Sequence, residues 1–186
     1  MSRMKQNGYR FKSWIDPRIK LKSSQIHGSG IFTNKVIREG ELVIIWGGIA
    51  YTKEEIRSDG VKINPQSLIE VREGLYLAGL VNQSSTMDYF MNHSCDPNVW
   101  MQNQVTLIAR RDIEIGEELT IDYSMFDADA PDEPVVSIYP FNCHCRSRLC
   151  RKIITGFDWA LPELHLRYKG HVSSYINEQI RKLKLR

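Results

Sequence analysis

The sequence lacks long apolar runs. Nothing in its 186 residues approaches the roughly eighteen unbroken hydrophobic positions of a membrane-spanning helix. The opening stretch, MSRMKQNGYRFK, has no apolar segment of the kind a signal peptide needs, so the expectation is a soluble intracellular protein with no membrane partner. Net charge is also scarce. The formal value is +3 at pH 7, too small to argue for direct nucleic-acid binding from composition. There is no internal repeat and no low-complexity tract. Strands do not alternate with long helices, which speaks against a doubly wound Rossmann arrangement. Cysteine is limited to four residues.

What is present is 42% hydrophobic content, enough for one core with appended ends. Basic residues gather at both ends, at Lys5, Arg10, Lys12, Arg18, Lys20 and Lys22, and again at Arg181, Lys182, Lys184 and Arg186; they read as solvated surface. An acidic run, Asp127, Asp129, Asp132 and Glu133, lies between them in a proline-containing stretch. The chain reads as mainly β with a few short helices. Strand-rich stretches are ELVIIWGGIAYT from Glu41, SLIEV from Ser67, LYLAG from Leu75, NVWMQ from Asn98, VTLIARR from Val105 and ELTIDY from Glu118. The polar TKEEIRSDG from Thr52 has room for one or two helical turns. Thr86 is placed to cap a short helix over MDYFMN, and the segment from Ser173, with Tyr175, Ile176, Ile180 and Leu183 on one face, reads as an amphipathic helix.

Four motifs carry chemistry. Cys143, Cys145 and Cys150 form a C-x-C-x4-C cluster and Cys95 stands alone far upstream. With no secretory signal, this pattern favours a metal held by thiolates, with Cys95 as the remaining cysteine for the fourth position. Four unrelated buried thiols, or His144 replacing one sulfur, are the alternatives. HGSGIF, from His27 to Phe32, places Gly28 and Gly30 where the backbone could approach a nucleotide-like group, or simply turn. NHSCDPN, from Asn92 to Asn98, offers capping side chains, and its His93 and Cys95 could also be read as a thiol with a base. GEELTIDY, from Gly116 to Tyr123, is a turn and a strand ending in tyrosine.

In that order, HGSGIF, NHSCDPN, GEELTIDY and CHCRSRLC resemble the SET-domain protein lysine methyltransferases with a post-SET zinc cluster, of the small stand-alone type. The resemblance implies a fold of small curled β-sheets with a C-terminal pseudoknot that lays NHSC beside ELTIDY. It implies an N-terminal extension over 1–19, the SET domain over 20–124, an acidic linker over 125–140, the post-SET motif over 141–157 and a helical extension over 158–186. It implies S-adenosylmethionine held by the backbone around His27, Gly28, Ser29 and Gly30 and by Asn92 and His93, with His144 beside the adenine. Tyr123 would be the catalytic tyrosine at the lysine channel. Structural Zn²⁺ would be held by Cys95, Cys143, Cys145 and Cys150. The implied partner is a lysine-containing, basic protein substrate.

Some positions depart from the family pattern. Trp46, Gly47 and Gly48 stand where many relatives have tyrosine, glycine and a carboxylate; Ile121 replaces a frequent aromatic; Tyr89 replaces an arginine that precedes NHSC. After Cys150, Trp159 is available either to wall the channel or to pack ordinarily. A degenerate SET-shaped binding module is the alternative that these departures keep open.

Overall fold

The computed structural model describes residues 8–58, 62–64, 67–79, 87–128 and 138–185. Thr86, Lys5, Arg186 and the acidic positions Asp129, Asp132 and Glu133 lie outside the described residues. In chain order the strands begin with β1 (Trp14–Ile15), β2 (Ile19–Ser23), β3 (Ser29–Thr33), β4 (Leu42–Ile45) and β5 (Ile49–Thr52), followed by helix α1 (Lys53–Arg57). Next come β6 (Ile69–Arg72), β7 (Leu75–Ala78), a 3₁₀ turn at Met87–Phe90, β8 (Asn92–His93), β9 (Val99–Met101), β10 (Thr106–Ala109) and β11 (Thr120–Ile121). The last part holds a 3₁₀ turn at Tyr123–Met125, β12 (Phe141–Asn142), β13 (Ile153–Ile154), a 3₁₀ turn at Asp158–Ala160, α2 (Pro162–Arg167) and α3 (Ser174–Lys184).

The strands form several small sheets: β1-β4-β10-β9, β5-β7-β6, and the pairs β2-β3, β8-β11 and β12-β13. The expected single run from Glu41 to Thr52 therefore divides between two sheets. The division falls at Gly47 and Gly48, where neighbouring backbone leaves no room for a side chain at Gly47 and a tight fit at Gly48. A Cβ on Gly47 would sit 2.4 Å from the Lys12 carbonyl carbon, and one on Gly48 would sit 3.0 Å from the Ala78 nitrogen.

The helix expected over MDYFMN is shorter than its sequence pattern, ending as a 3₁₀ turn at Phe90 because Asn92 already belongs to β8. HGSGIF is only partly a loop, since its second half is β3, paired antiparallel with β2. Helix α1 starts with a reciprocal cap. Thr52 Oγ1 accepts from the Glu55 amide at 3.2 Å and Glu55 Oε2 accepts from the Thr52 amide at 2.7 Å. Helix α3 begins where its sequence predicts, with Ser173 Oγ accepting from the Ile176 amide at 3.1 Å. It buries Tyr175 and Ile176, while Leu183 at the far end is 42% exposed.

The core lies between the four-stranded sheet and the elements around it, and includes Ile19, Ile31, Ile44, Met101, Leu107 and Leu119, all fully buried. Leu107 sits in β10 between Ile44 of β4 and Met101 of β9. Leu107→Ala is expected to remove about 3 kcal/mol of stability through lost transfer energy and a residual cavity, read as a shift in the urea midpoint. A loss below about 1 kcal/mol would mean that this position collapses freely, contrary to close packing across three strands. Among the described residues no helix is long and apolar enough to cross a membrane.

Candidate functional site

Parallel pairing of β8 with β11 sets Asn92 opposite Thr120 and His93 opposite Ile121. This brings the NHSC and ELTIDY stretches side by side, as the resemblance implies. Asn92 then ties a third segment to them. Its Nδ2 lies 3.2 Å from the His27 carbonyl, 3.0 Å from the Ser29 carbonyl and 2.7 Å from Glu118 Oε1. Glu118 also accepts from Ser24 Oγ at 2.8 Å. The HGSG turn, β8 and the strand of GEELTIDY are thus fastened through one amide and one carboxylate.

Gly30 makes that fastening possible. A Cβ there would fall 2.1 Å from Glu118 Oε1, so the glycine admits the carboxylate, and Gly30 does not line the cavity beside it. Gly30→Ala should displace Glu118 and loosen Asn92. The expected cost is about 1–3 kcal/mol, in the range of other overpacked sites, measured as a lowered thermal midpoint. An unchanged midpoint would show that Glu118 can move away without loss.

A cavity of about 760 Å³ opens against these residues. Its lining includes His27, Gly28, Ser29, Asn92, His93 and His144. Gly28 has φ of +47°, and nothing lies within 4 Å of where its Cβ would be, so the chain turns there beside open space. Trp46, Ile121, Tyr123, Phe126 and Phe141 also wall it, and the His93 ring stands edge-on to Tyr123 at 5.2 Å and to Phe141 at 5.8 Å. Their rings meet edge to face: Trp46 and Phe126 have centroids 4.8 Å apart, Tyr123 and Phe126 5.7 Å, and Tyr123 and Phe141 6.0 Å. Glu70, Asp88 and Asp127 also line the cavity, and no described lysine or arginine does. Asp127 is the described member of the acidic run, and its Oδ2 accepts from the Tyr139 hydroxyl at 2.9 Å.

Tyr123 is held at both ends. Its amide donates to His93 Nδ1 at 3.3 Å and its hydroxyl donates to the Met91 carbonyl at 3.0 Å. Burial, reinforced by Asp127, raises its pKa above the ordinary tyrosine value, so the side chain remains a phenol at neutral pH. Burial likewise pushes His93 down to about 4 against the pull of Asp122. A neutral imidazole accepting at Nδ1 carries its proton on Nε2, and that nitrogen lies 3.3 Å from Cys95 Sγ.

The four cysteines converge although Cys95 lies far from the others in sequence. Their sulfurs all lie within 4.8 Å of one another and none is in a disulfide, so this group could hold a metal ion. Cys95 and Cys143 sulfurs are 3.8 Å apart, too far for an S–S bond of about 2.05 Å. The Arg151 amide donates to Cys95 Sγ at 3.3 Å, a contact suited to a thiolate. The pairing of β12 with β13 sets the loop that carries Cys143, Cys145 and Cys150.

Of the residues singled out in the sequence, His27, Gly28, Ser29, Asn92, His93, Tyr123, Cys143 and His144 meet at one cavity. Trp159 does not line it; it packs against the core, and its carbonyl contacts His165 Nε2 at 2.8 Å. Trp46 does line it, in edge contact with Phe126. Tyr89 also faces it, with its hydroxyl against Gly79, where a Cβ would lie only 2.2 Å away. Sequence reasoning missed Glu118, Phe126, Phe141 and Arg151. Glu118 and Arg151 lie within or beside recognised motifs, so proximity was the available signal; the two phenylalanines carried none.

Residues 28–124 match the family model described as "SET domain". Histone-lysine N-methyltransferase set1 of Dictyostelium discoideum is 30% identical over 152 residues, covering 74% of this chain and 9% of that protein. Histone-lysine N-methyltransferase Su(var)3-9 of Drosophila melanogaster is 26% identical over 158 residues, covering 74% of this chain and 25% of that protein. The chain thus spans well under two thirds of the length of these relatives. Among solved structures, Arabidopsis thaliana SUVH6 in complex with SAM has a TM-score of 0.59 at 21% identity, over 75% of this chain and 33% of that one. The methyltransferase domain of human SETMAR has a TM-score of 0.54 at 19% identity, over 75% of this chain and 58% of that one. These two likenesses are of fold. With a family match over just over half of its residues and the same small-sheet architecture, the chain belongs to the SET-domain family.

Proposed function

We propose that the chain is a protein-lysine N-methyltransferase that uses S-adenosylmethionine and acts on a lysine of a basic protein such as a histone. The observation that carries this reading is one continuous cavity joining the Asn92-fastened HGSG turn to the aromatic walls around Tyr123. The names of the relatives, and the solution of SUVH6 with SAM, support it.

The residues present fit both groups that the reading requires. A cavity of about 760 Å³ lies in the usual range for small-molecule sites. Its three carboxylates and the lack of described lysine or arginine in its lining suit a cationic ligand. S-adenosylmethionine, when bound, supplies a methyl group on a positively charged sulfur. His27, Gly28, Ser29, Asn92 and His93 would hold it through the backbone and the Asn92 amide, with His144 at the adenine; Gly30 would act indirectly, by admitting Glu118. For the thiol group, Zn²⁺ with arms of about 2.3 Å gives a tetrahedral edge of about 3.8 Å, the separation of Cys95 and Cys143 sulfurs. Cys145 and Cys150 would complete the site.

The chain's own chemistry is then binding and alignment. A lysine amine must be neutral to attack, and supplying that form at pH 7 costs about 4.6 kcal/mol for a free side chain. Walls of Trp46, Phe126 and Phe141 would disfavour the ammonium form by desolvation, against the pull of the Glu70, Asp88 and Asp127 carboxylates, which favour it. The Tyr123 hydroxyl, kept protonated and tied to the Met91 carbonyl, orients the reacting groups and does not itself take the proton. Fixed alignment removes entropy that a bimolecular encounter would otherwise cost. Such a protein would work inside the cell, in the cytoplasm of a prokaryote, with the nucleus open to it in a eukaryote.

The test is transfer of radiolabelled methyl from S-adenosylmethionine to a panel of basic proteins, with the labelled residue identified by mass spectrometry. Label on lysine supports the reading. No label on any protein, together with no cofactor binding by calorimetry in zinc-loaded protein, would leave a SET-shaped binding module as the better account.

A further inference from the structure

Asp122, the residue before Tyr123, is completely buried, and each of its four acceptor directions is filled. Oδ1 accepts from Arg151 Nη2 at 2.8 Å and from the Ser124 amide at 3.1 Å. Oδ2 accepts from Arg151 Nη1 at 2.6 Å and from the Tyr168 hydroxyl at 3.0 Å. Through the Ser124 amide, Asp122 caps the 3₁₀ turn that begins at Tyr123. Burial raises the Asp122 carboxyl pKa, but the Arg151 hydrogen bonds and charge outweigh it and hold the group below the ordinary carboxylate range.

We propose that Arg151 is a positioning residue for Tyr123, acting through Asp122. The inference rests on the methyltransferase reading for its catalytic consequence. Arg151 directly follows Cys150, and its side chain is only 13% exposed. Its amide is fixed on Cys95 Sγ, its Nε donates to Asp158 Oδ2 at 2.7 Å, and its remaining fork grips both Asp122 oxygens. One residue therefore links the four-cysteine group to the turn that aims the Tyr123 ring. Lysine cannot reproduce this contact, because an ammonium offers a point charge where the guanidinium offers two parallel donors. With the fork removed, Asp122 keeps only the Ser124 and Tyr168 donors, and a buried carboxylate short of partners must shift or take up a proton. Either change loosens the cap, and the Tyr123 hydroxyl moves with it.

The bland alternative is a strut that merely fastens the C-terminal segment to the domain. The experiment separates the two on the zinc-loaded full chain. It compares wild type, Arg151→Lys, Tyr168→Phe and Asp158→Asn, the last removing a partner of Arg151 that does not touch Asp122. Tyrosine rings are labelled with ¹³C, and the Tyr123 resonance is assigned by its loss in Tyr123→Phe. Thermal midpoint, S-adenosylhomocysteine affinity, kcat and KM are measured in parallel.

Arg151→Lys is expected to shift the Tyr123 resonance and lower kcat by about 10- to 100-fold, as misplacement by about an ångström does, with homocysteine-analogue affinity within about twofold of wild type. Tyr168→Phe, which removes one donor to Asp122 and no charge, should move the resonance and kcat in the same direction by less. It decides the question if Arg151→Lys does not fold. Asp158→Asn should lower the midpoint and leave the Tyr123 resonance in place. An unmoved resonance and kcat in folded Arg151→Lys or Tyr168→Phe would overturn the inference, as would equal effects in all three variants. If wild type transfers no methyl group, the methyltransferase reading fails, while the resonance still reports whether Arg151 aims Tyr123.

Discussion

Tyr123→Phe is expected to lower turnover by about 100-fold or more, in line with the loss of a positioned hydroxyl, while cofactor affinity stays near that of wild type. The reason lies in the two anchors of this residue. Its amide bond to His93 and its ring contacts with Phe126 and Phe141 do not involve the hydroxyl, so the ring should stay in place. What is lost is the bond to the Met91 carbonyl and, on the proposed reading, the oxygen that would orient the reacting groups. The Met91 carbonyl is left without that donor, so a modest fall in stability, of about 1 kcal/mol, should accompany the change. Single-turnover kinetics with a methyl-accepting protein, alongside calorimetry with S-adenosylhomocysteine, makes the comparison. Parallel losses in turnover and cofactor affinity would assign Tyr123 to cofactor binding; equal turnover in mutant and wild type would remove it from the reaction.

If the four-cysteine group holds zinc as proposed, stripping it should have an effect as large, on structure as well as activity. β12 and β13 contribute only two residues each, too little pairing to hold the segment from Phe141 to Ile154 by themselves. The four sulfurs connect that segment to the loop after β8, where Cys95 is fully buried. Structural zinc sites of this kind supply about 10–16 kcal/mol of apparent binding energy, which is also folding energy. A chelator, or Cys95→Ser, should therefore release about one zinc ion per chain, free the remaining thiols to a thiol reagent, and abolish cofactor binding, because Phe141, Cys143 and His144 line the cavity. Metal analysis, thiol titration and calorimetry on the same samples provide the check. Purified protein that contains no zinc yet keeps its thermal midpoint and its cofactor affinity would defeat the assignment.

Much of the local structure could be read from the chain because it depends on neighbours in sequence. The apolar, β-branched and aromatic stretches around Leu42, Ile69, Leu75, Val99 and Thr106 became strands, and Ser173 capped the helix that follows it. The break at Gly47 and Gly48 was less legible: the apolar pattern runs straight through, and the close approach of the Lys12 and Ala78 backbones that marks it is made by segments distant in the chain. The two-residue strands at Asn92, Phe141 and Ile153 have no periodicity to detect, and they exist because distant segments meet there; the strand at Thr120 is the paired part of the expected ELTIDY stretch.

The site divides along the same line. By itself the sequence determined which reactive residue types were available and in what order: four cysteines in a metal-ligand pattern, the HGSG and NHSC stretches, and a strand ending in Tyr123. Those properties are covalent and local. Only the tertiary structure decided that Gly30 serves Glu118, that Trp46 and not Trp159 walls the cavity, and that Arg151 grips the residue beside Tyr123. Each of these is a contact between segments far apart in the chain, fixed by packing and by the need to pair every buried charge.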